Sequence, residues 1–583
     1  MNTFKLLSFF LLFILLIGCD KGIEKENPNP IEPPKEASIE FKIDGLEDTE
    51  DVFPEFKNEQ KASANHNRTI KPVSFRSDVL SLNGFDVIME ITEKLPAQFP
   101  GASSKTKIQS SVKSSSNGNN QAIRYHSPLN NGVKYRIVLY KTNGSGVATT
   151  YAGQQEGTIG SNYISIGANR NTQYRWYAYT YNNTSPIDTF VVANGTVPVK
   201  PSANSTTKKQ DFAYATGLIT TSNVVNGLNS IQNIVLTRKT ARFVVEVNSR
   251  GMFAPVTYAS LRIKDNAGFM KGNFRLSDSS YLNLTNVQTT DQVYNHNSSA
   301  YVVPVGTDTV PELNWKKRYT FYSPVNSVSK PLTISIDTMR ITSKRLRDTD
   351  GAATDVVRTF TNNEFAFNSF IAQPGKSYFV SIILVESAIP MGSARWARGN
   401  TWRVADGPLR PDGFWDYRIR YDNPLYQTVA GVPTTDYFTH DIYSVANGKN
   451  ICEMIYPEDT WTLPTPAHFN SFNNITQNVG VEYNGWYLYM TPTTPVLGYP
   501  SYPHGDLIFT PVGYKQSSTG PTNNFFPNST SYQNTKGYWR TTTSGTFARL
   551  NYNNTSWFND RWDETNSFTF SSSNLASVRC VRK

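Results

Sequence analysis

Short runs in which apolar and polar residues alternate limit what this chain can become. In KSYFVSIILVES, Tyr378, Val380, Ile382 and Leu384 fall on one face of an extended strand. SIEFKIDG does the same with Ile39, Phe41 and Ile43, and FDVIMEIT, VKYRIVLYKTNGSG, NYISIGA and QYRWYAYTY follow, each bounded by Gly, Asn or Ser turns. Asn-Gly in KTNGSG suits the positive φ of a tight hairpin. No such run alternates with a long helical period, which argues against a parallel α/β sheet and for antiparallel sandwiches. The 13% aromatic and 17% charged content fits strands of this kind, and 583 residues exceed what one core organises.

The N-terminus carries a different signal. Lys5 precedes an apolar run from Leu6 to Ile17, then Gly18 and Cys19. As a helix this run would span roughly 18 Å, too short for a bilayer core of about 30 Å, so it reads as a signal peptide. LIGC resembles the bacterial lipobox, which implies diacylglycerol on the Cys19 sulfur and a mature chain starting there, anchored in the outer membrane and facing outward. Residues 19–38, with four prolines and five acidic side chains, read as a solvated tether. That acidic start resembles the export signals of Bacteroidetes surface lipoproteins. With Cys19 acylated, Cys452 and Cys580 are left; a disulfide between them is the simplest expectation in an oxidising compartment, two separate buried thiols the alternative.

Two β-sandwich domains are expected at 39–204 and 205–390, with 101–121 as a loop of low apolar content. GVKYRIVLYKTNGSG, DFAYATG, VLTRKTARFVVEVNS and PGKSYFVSIILVES resemble the fimbrillin-like family of Bacteroidetes, lipoprotein precursors of type V pili and related adhesins. The resemblance implies removal of the first strand by an arginine-directed protease, with Arg68 or Arg76 as cut site, and strand exchange with pilin subunits. A domain after the second sandwich would block its use as a donor, which suits a tip subunit.

Beyond residue 390 the composition changes: eight of the ten tryptophans lie past residue 395. ARWARGNTWRV, DTWTLPTPAHFNSF, DLIFTPVGYK, GYWRTTTSGTFARLNY and ASVRCVRK resemble the Fibrobacter succinogenes major paralogous domain. Arg540 and Thr541 stand where that pattern has small serines. The resemblance implies a mixed α+β, C-type-lectin-like domain over 391–583 and a disulfide between Cys452 and Cys580. The expected fold is therefore mostly β: two tandem antiparallel sandwiches followed by this domain. Thr465 is placed to cap a helix that starts at Pro466.

Chemistry is sparse. His66, His126, His296, His440, His468 and His504 stand apart, and Asp348, Asp350 and Asp355 lack the rest of a calcium loop. No nucleophile elbow or phosphate loop occurs, and the +10 net charge is dispersed, so an enzyme, a cofactor and a nucleic-acid partner are not expected. Formylglycine-generating enzymes share the lectin-like fold but need further cysteines. WFNDRWD offers Trp557, Asn559, Asp560 and Trp562 as candidate glycan contacts, without the companion segment of a calcium-dependent lectin. The expected function is a surface adhesin or pilus-tip or accessory fimbrillin that binds a glycan or a host or bacterial surface ligand. The alternative is a monomeric glycan-capture lipoprotein of a nutrient-uptake system. Mass spectrometry of the mature chain should find Cys19 as an acylated N-terminus; an unacylated terminus would remove the anchor.

Overall fold

The computed structural model describes residues 35–47, 74–76, 79–94 except 83, 126–263 except 162, 268–287, 294–296, 315–346, 353–403, 417–420, 449–510 except 483–484, 514–515, 522–523, 536–543, 547–551, 562–564 and 575–583. The described chain is mostly β, arranged in several sheets, and holds one short α-helix. Among the described residues no helix is long and apolar enough to cross a membrane.

The first sheet runs in the order His126–Ser127, Ala37–Glu47, Gly227–Arg238, Ala213–Thr220, Gln173–Thr180, Lys134–Thr142, Ala148–Thr158, with Ile164–Ala168 also paired to Ala37–Glu47. The first strand thus has partners on both sides: parallel to Gly227–Arg238 and antiparallel to Ile164–Ala168. Its alternation is realised as expected. Ile39, Phe41 and Ile43 point into a core with Ile164, Ile166, Ile234 and Leu236, and the Phe41 ring meets Trp176 edge-on at 6.4 Å. Burial of these side chains gives on the order of 10 kcal/mol gross, before the entropy of ordering the strand is subtracted.

The opposite face of this sheet is also covered. A small sheet of Thr196–Val199, Met270–Arg275 and Ser280–Asn286 lies over Tyr177, Tyr179, Phe212 and Tyr214, with Phe274 at 4.9 Å from Phe212. Aromatic alternation on both faces of Gln173–Thr180 is what two covering layers require.

The second unit packs a sheet of Ser202–Ala203, Lys316–Ser323, Ala241–Gly251, Ser377–Val385, Asp86–Lys94 and Ser74–Arg76 against one of Tyr294–His296, Val256–Ile263, Lys330–Leu346 and Ala353–Phe370. Leu80–Ser81 also pairs with Asp86–Lys94. Strand pairing crosses the expected division at residue 204. Asp86–Lys94 belongs to this second sheet, whereas Ala213–Thr220 and Gly227–Arg238 belong to the first. Each main sheet also contains one parallel pair, Ala37–Glu47 with Gly227–Arg238 and Ala241–Gly251 with Ser377–Val385, where fully antiparallel sheets were expected. Parallel pairing follows from long crossovers, which alternation within a strand does not encode.

The C-terminal part consists of small sheets around an aromatic core of Trp396, Phe469, Phe472, Phe509 and Trp539. Val581–Arg582 lies between Ala394–Trp396 and Trp461–Thr462, so the chain end is an inner strand. The helix Pro466–Asn470 starts as expected: Thr465 caps it, accepting from the His468 N–H at 3.2 Å, and Pro466 occupies the first turn. It runs directly into a 3₁₀ turn, Ser471–Asn474.

Candidate functional site

Cys452 and Cys580 are joined, with Cα atoms 5.8 Å apart across a sequence separation of 128. In the chain-entropy limit a loop of that length is worth about 5 kcal/mol. The bridge lies in a core shared by two units. Ile88, Ile383 and Val385 from the outer face of the second sheet meet Ala397, Ile451, Trp461 and both cysteines of the C-terminal part.

Buried arginines organise this junction. Arg582 donates to the Asp86 carboxylate at 2.6 Å and to the Glu386 carbonyl at 2.7 Å, and its guanidinium lies 3.9 Å from the Trp461 ring centre. Arg579 donates to Asn400 Oδ1 and to the carbonyls of Ala397 and Ile508, at 2.9, 3.0 and 2.9 Å, over the Phe509 ring. Burial pushes the pKa of both guanidinium groups down to about 10, which leaves them charged at neutral pH. Arg398 donates to the carbonyls of Ser387, Val496 and Pro500, and Ser387 Oγ donates to the Leu497 carbonyl at 2.5 Å. Gly498 permits this closure, because a Cβ there would lie 2.3 Å from Arg398 Nε.

That network fixes one wall of a cleft of about 570 Å³ between the second sandwich and the C-terminal part. The fixed wall is 497–502, with Tyr499 and Tyr502; the other wall is the edge strand Ala353–Phe370, with Arg358, Thr359, Phe360, Thr361 and Asn363. Glu386 ties the walls together. It accepts both arms of the Arg358 fork, at 3.1 and 2.9 Å, and the Tyr499 N–H at 2.7 Å. The Arg358 guanidinium sits 5.2 Å from the Tyr499 ring centre. Gly84, at φ +95°, keeps the floor open, since a Cβ would come to 3.0 Å from Phe360.

Tyr499 and Tyr502 are buried in their wall, at 6% and 8% exposure, so the cleft offers the half-buried Phe360 ring, the hydroxyls of Thr359 and Thr361 and the Asn363 amide, and its cation is neutralised by Glu386. Among the described residues no group of three metal-ligating side chains occurs. The arrangement suits binding a neutral polar molecule with apolar patches.

The sequence-derived candidates stand elsewhere. Cys19, Arg68, Trp557, Asn559 and Asp560 lie outside the described residues. Trp562 opens the strand Trp562–Glu564, paired with Phe547–Asn551. Arg76 ends Ser74–Arg76, an edge strand on Asp86–Lys94. Sequence reasoning missed the cleft and the arginines that hold it. A usable signal was present: Arg579 and Arg582 in SVRCVRK, and Arg398 in WARGN, are charges set among residues that read as core.

No protein-family model matches the chain, and no curated protein matches it in sequence. Solved structures with low similarity come from Bacteroidetes adhesins and fimbrial proteins. A candidate cell adhesion protein from Bacteroides ovatus aligns at 10% identity over 45% of this chain and 86% of that one, with a TM-score of 0.27. The fimbrial anchor protein Mfa2 of Porphyromonas gingivalis aligns at 11% identity over 41% and 91%, TM-score 0.21. The tip fimbrial protein Mfa3 of the same organism aligns at 11% over 43% and 92%, TM-score 0.19.

Removing the Asp86 carboxylate leaves Arg582 buried without its counter-ion. Asp86→Ala should destabilise the junction by about 3–5 kcal/mol in denaturant unfolding, and adding Arg582→Leu should recover most of the loss. An unchanged midpoint for the single variant would show that this pair does not hold the units together.

Proposed function

We propose that this chain is a lipid-anchored surface protein of the adhesin type that holds a neutral glycan in the cleft between its second sandwich and its C-terminal part. The observation that carries this reading is the cleft itself: a wall of 497–502, held from behind by Arg398 and Glu386, faces an edge strand that presents Thr359, Phe360, Thr361 and Asn363. A ring such as Phe360 packs on a sugar C–H face, and the hydroxyl and amide groups beside it bond sugar hydroxyls. Pre-ordering of the wall lowers the entropy lost on binding. In finer detail, the C-terminal part is read as a lectin-like module and the N-terminus as acylated at Cys19, with the molecule on the outer face of the outer membrane.

A glycan array with the full chain should give binding to a restricted set of neutral glycans. Leu497→Glu and Thr361→Glu put charge at the mouth from exposed positions. Each should weaken that binding roughly tenfold or more, the cost of about 1.4 kcal/mol, with an unchanged melting temperature. Loss with Trp562→Ala and none with the mouth variants would move the site to the tryptophan-rich segment.

A second reading has its own support. The strand Ala37–Glu47 is an insert between Gly227–Arg238 and Ile164–Ala168, and its removal would open an apolar groove lined by Ile164, Ile166, Ile234 and Leu236. Such a groove suits a strand donated by a pilin subunit. An arginine-specific protease should then cut after Arg68 or Arg76, release the first strand and yield oligomers in size-exclusion chromatography. An intact chain that stays monomeric would count against strand exchange.

A further inference from the structure

At the end of the first sheet where Ala37–Glu47 begins, several turns converge. The Asn226 N–H donates to the Glu36 carbonyl at 2.7 Å, Arg170 is paired with Glu36 at 2.5 Å, and Arg175 Nε donates to the Gly146 carbonyl at 2.9 Å. The turns 143–147, 169–172 and 221–227 therefore share one end of the unit with the point where the N-terminal tether joins it.

This end is unusually apolar for a surface. Val224, Val225 and Leu228 are 62%, 59% and 61% exposed, and Val147 and Leu218 are also open to solvent. The Gly146 Cα lies against this same patch, since a Cβ on it would sit 3.1 Å from a Leu218 methyl. The segments TNGSGVA and TSNVVNGLNS contain no charged side chain. The charged groups around them are Lys35, Glu36, Glu40, Arg170 and Arg175; Glu36 is taken by Arg170, and Glu40, opposite Ser230, is the other carboxylate beside the tips. Exposed aliphatic tips on a rim where three cations outnumber two carboxylates match the boundary between acyl chains and anionic headgroups.

We infer that these tips, centred on Val224, Val225 and Leu228, seat the first unit on the surface of a lipid bilayer. The occupant is argued from chain connection. Cys19 and Lys35 are separated by fifteen residues, a reach of about 50 Å when extended, and the tether enters the fold beside the tips. Once a chain is anchored, a second contact with the same membrane is intramolecular, so even a few aliphatic side chains suffice to hold it. The seat places the second sandwich and its cleft away from the membrane, because Gly227–Arg238 runs from the tips toward the second unit and continues as Ala241–Gly251. This inference rests on the anchored reading of Cys19, and it applies to the uncut chain.

The test uses full-length chain in vesicles of phosphatidylethanolamine and phosphatidylglycerol. Val225→Cys is labelled with an environment-sensitive fluorophore; Val357→Cys on the second sandwich is the control. With Cys452 and Cys580 bonded and Cys19 acylated, the new thiol is the one that reacts. The label at 225 should shift to the blue and be quenched by brominated lipid, and the label at 357 should do neither. Val224→Asp with Leu228→Asp should abolish the shift. A label at 225 that stays in water, on a chain shown by mass spectrometry to be acylated, overturns the seat. A blue shift without vesicles, together with a dimer in solution, assigns the tips to a second copy and also overturns it. An unacylated chain refutes the anchor instead. In that case vesicle binding by the Cys19→Ser chain, weakened roughly tenfold by the aspartates, would still support the seat, and its absence would overturn it.

Discussion

The strand Ser377–Val385 is buried on both faces along its whole length. One face, with Tyr378, Val380, Ile382 and Leu384, closes the core of the second sandwich; the other, with Ile383 and Val385, packs on the C-terminal part. It pairs parallel to Ala241–Gly251 and antiparallel to Asp86–Lys94, so no edge is left free. Its next residue, Glu386, receives Arg358 and Tyr499 through its side chain and Arg582 through its carbonyl. The cleft is thus a consequence of one doubly buried strand whose end emerges where two units meet.

Arginines at that junction are a conditional form of stability. A guanidinium removed from water is unfavourable unless its donors are met, and Arg398 and Arg579 meet theirs largely with backbone carbonyls. Carbonyl acceptors have fixed positions, so such bonds specify loop geometry more strictly than apolar packing would. That is why 496–500 can project Leu497 to solvent while its backbone remains held. The disulfide acts on a different term, since it shortens the unfolded chain without dictating the shape of the loop.

Much of the fold is legible in the chain because local alternation reports burial directly. Ile39, Phe41 and Ile43 face a core as their spacing indicates, and Thr465 caps the helix that Pro466 opens. What is not legible is which strands become neighbours. Ala37–Glu47 meets Gly227–Arg238 some 190 residues later, and nothing within either segment names the other. The second face of Ser377–Val385 was hidden for a related reason: Phe379, Ile383 and Val385 are apolar too, and the unbroken apolar run from Ile382 to Val385 signals covering on both sides, whereas alternation alone directs attention to one. The cleft was invisible because its walls come from residues 358–363 and 497–502, brought together by Glu386 and not by a motif.

Exchange of strands across the expected division has a mechanical consequence. Gly227–Arg238 in the first sheet and Ala241–Gly251 in the second are joined by Lys239 and Thr240 alone, and Asp211 binds Arg238 at 2.6 Å and Thr240 at 3.4 Å across that link. Asp211 and Arg238 are both buried, so bending there would expose an ion pair and break its bonds together. Two units joined by a flexible linker would orient independently; a shared, locked strand passes orientation from one to the next. The first unit therefore fixes the orientation of the second, and with it the direction in which the cleft faces relative to the far end of Gly227–Arg238.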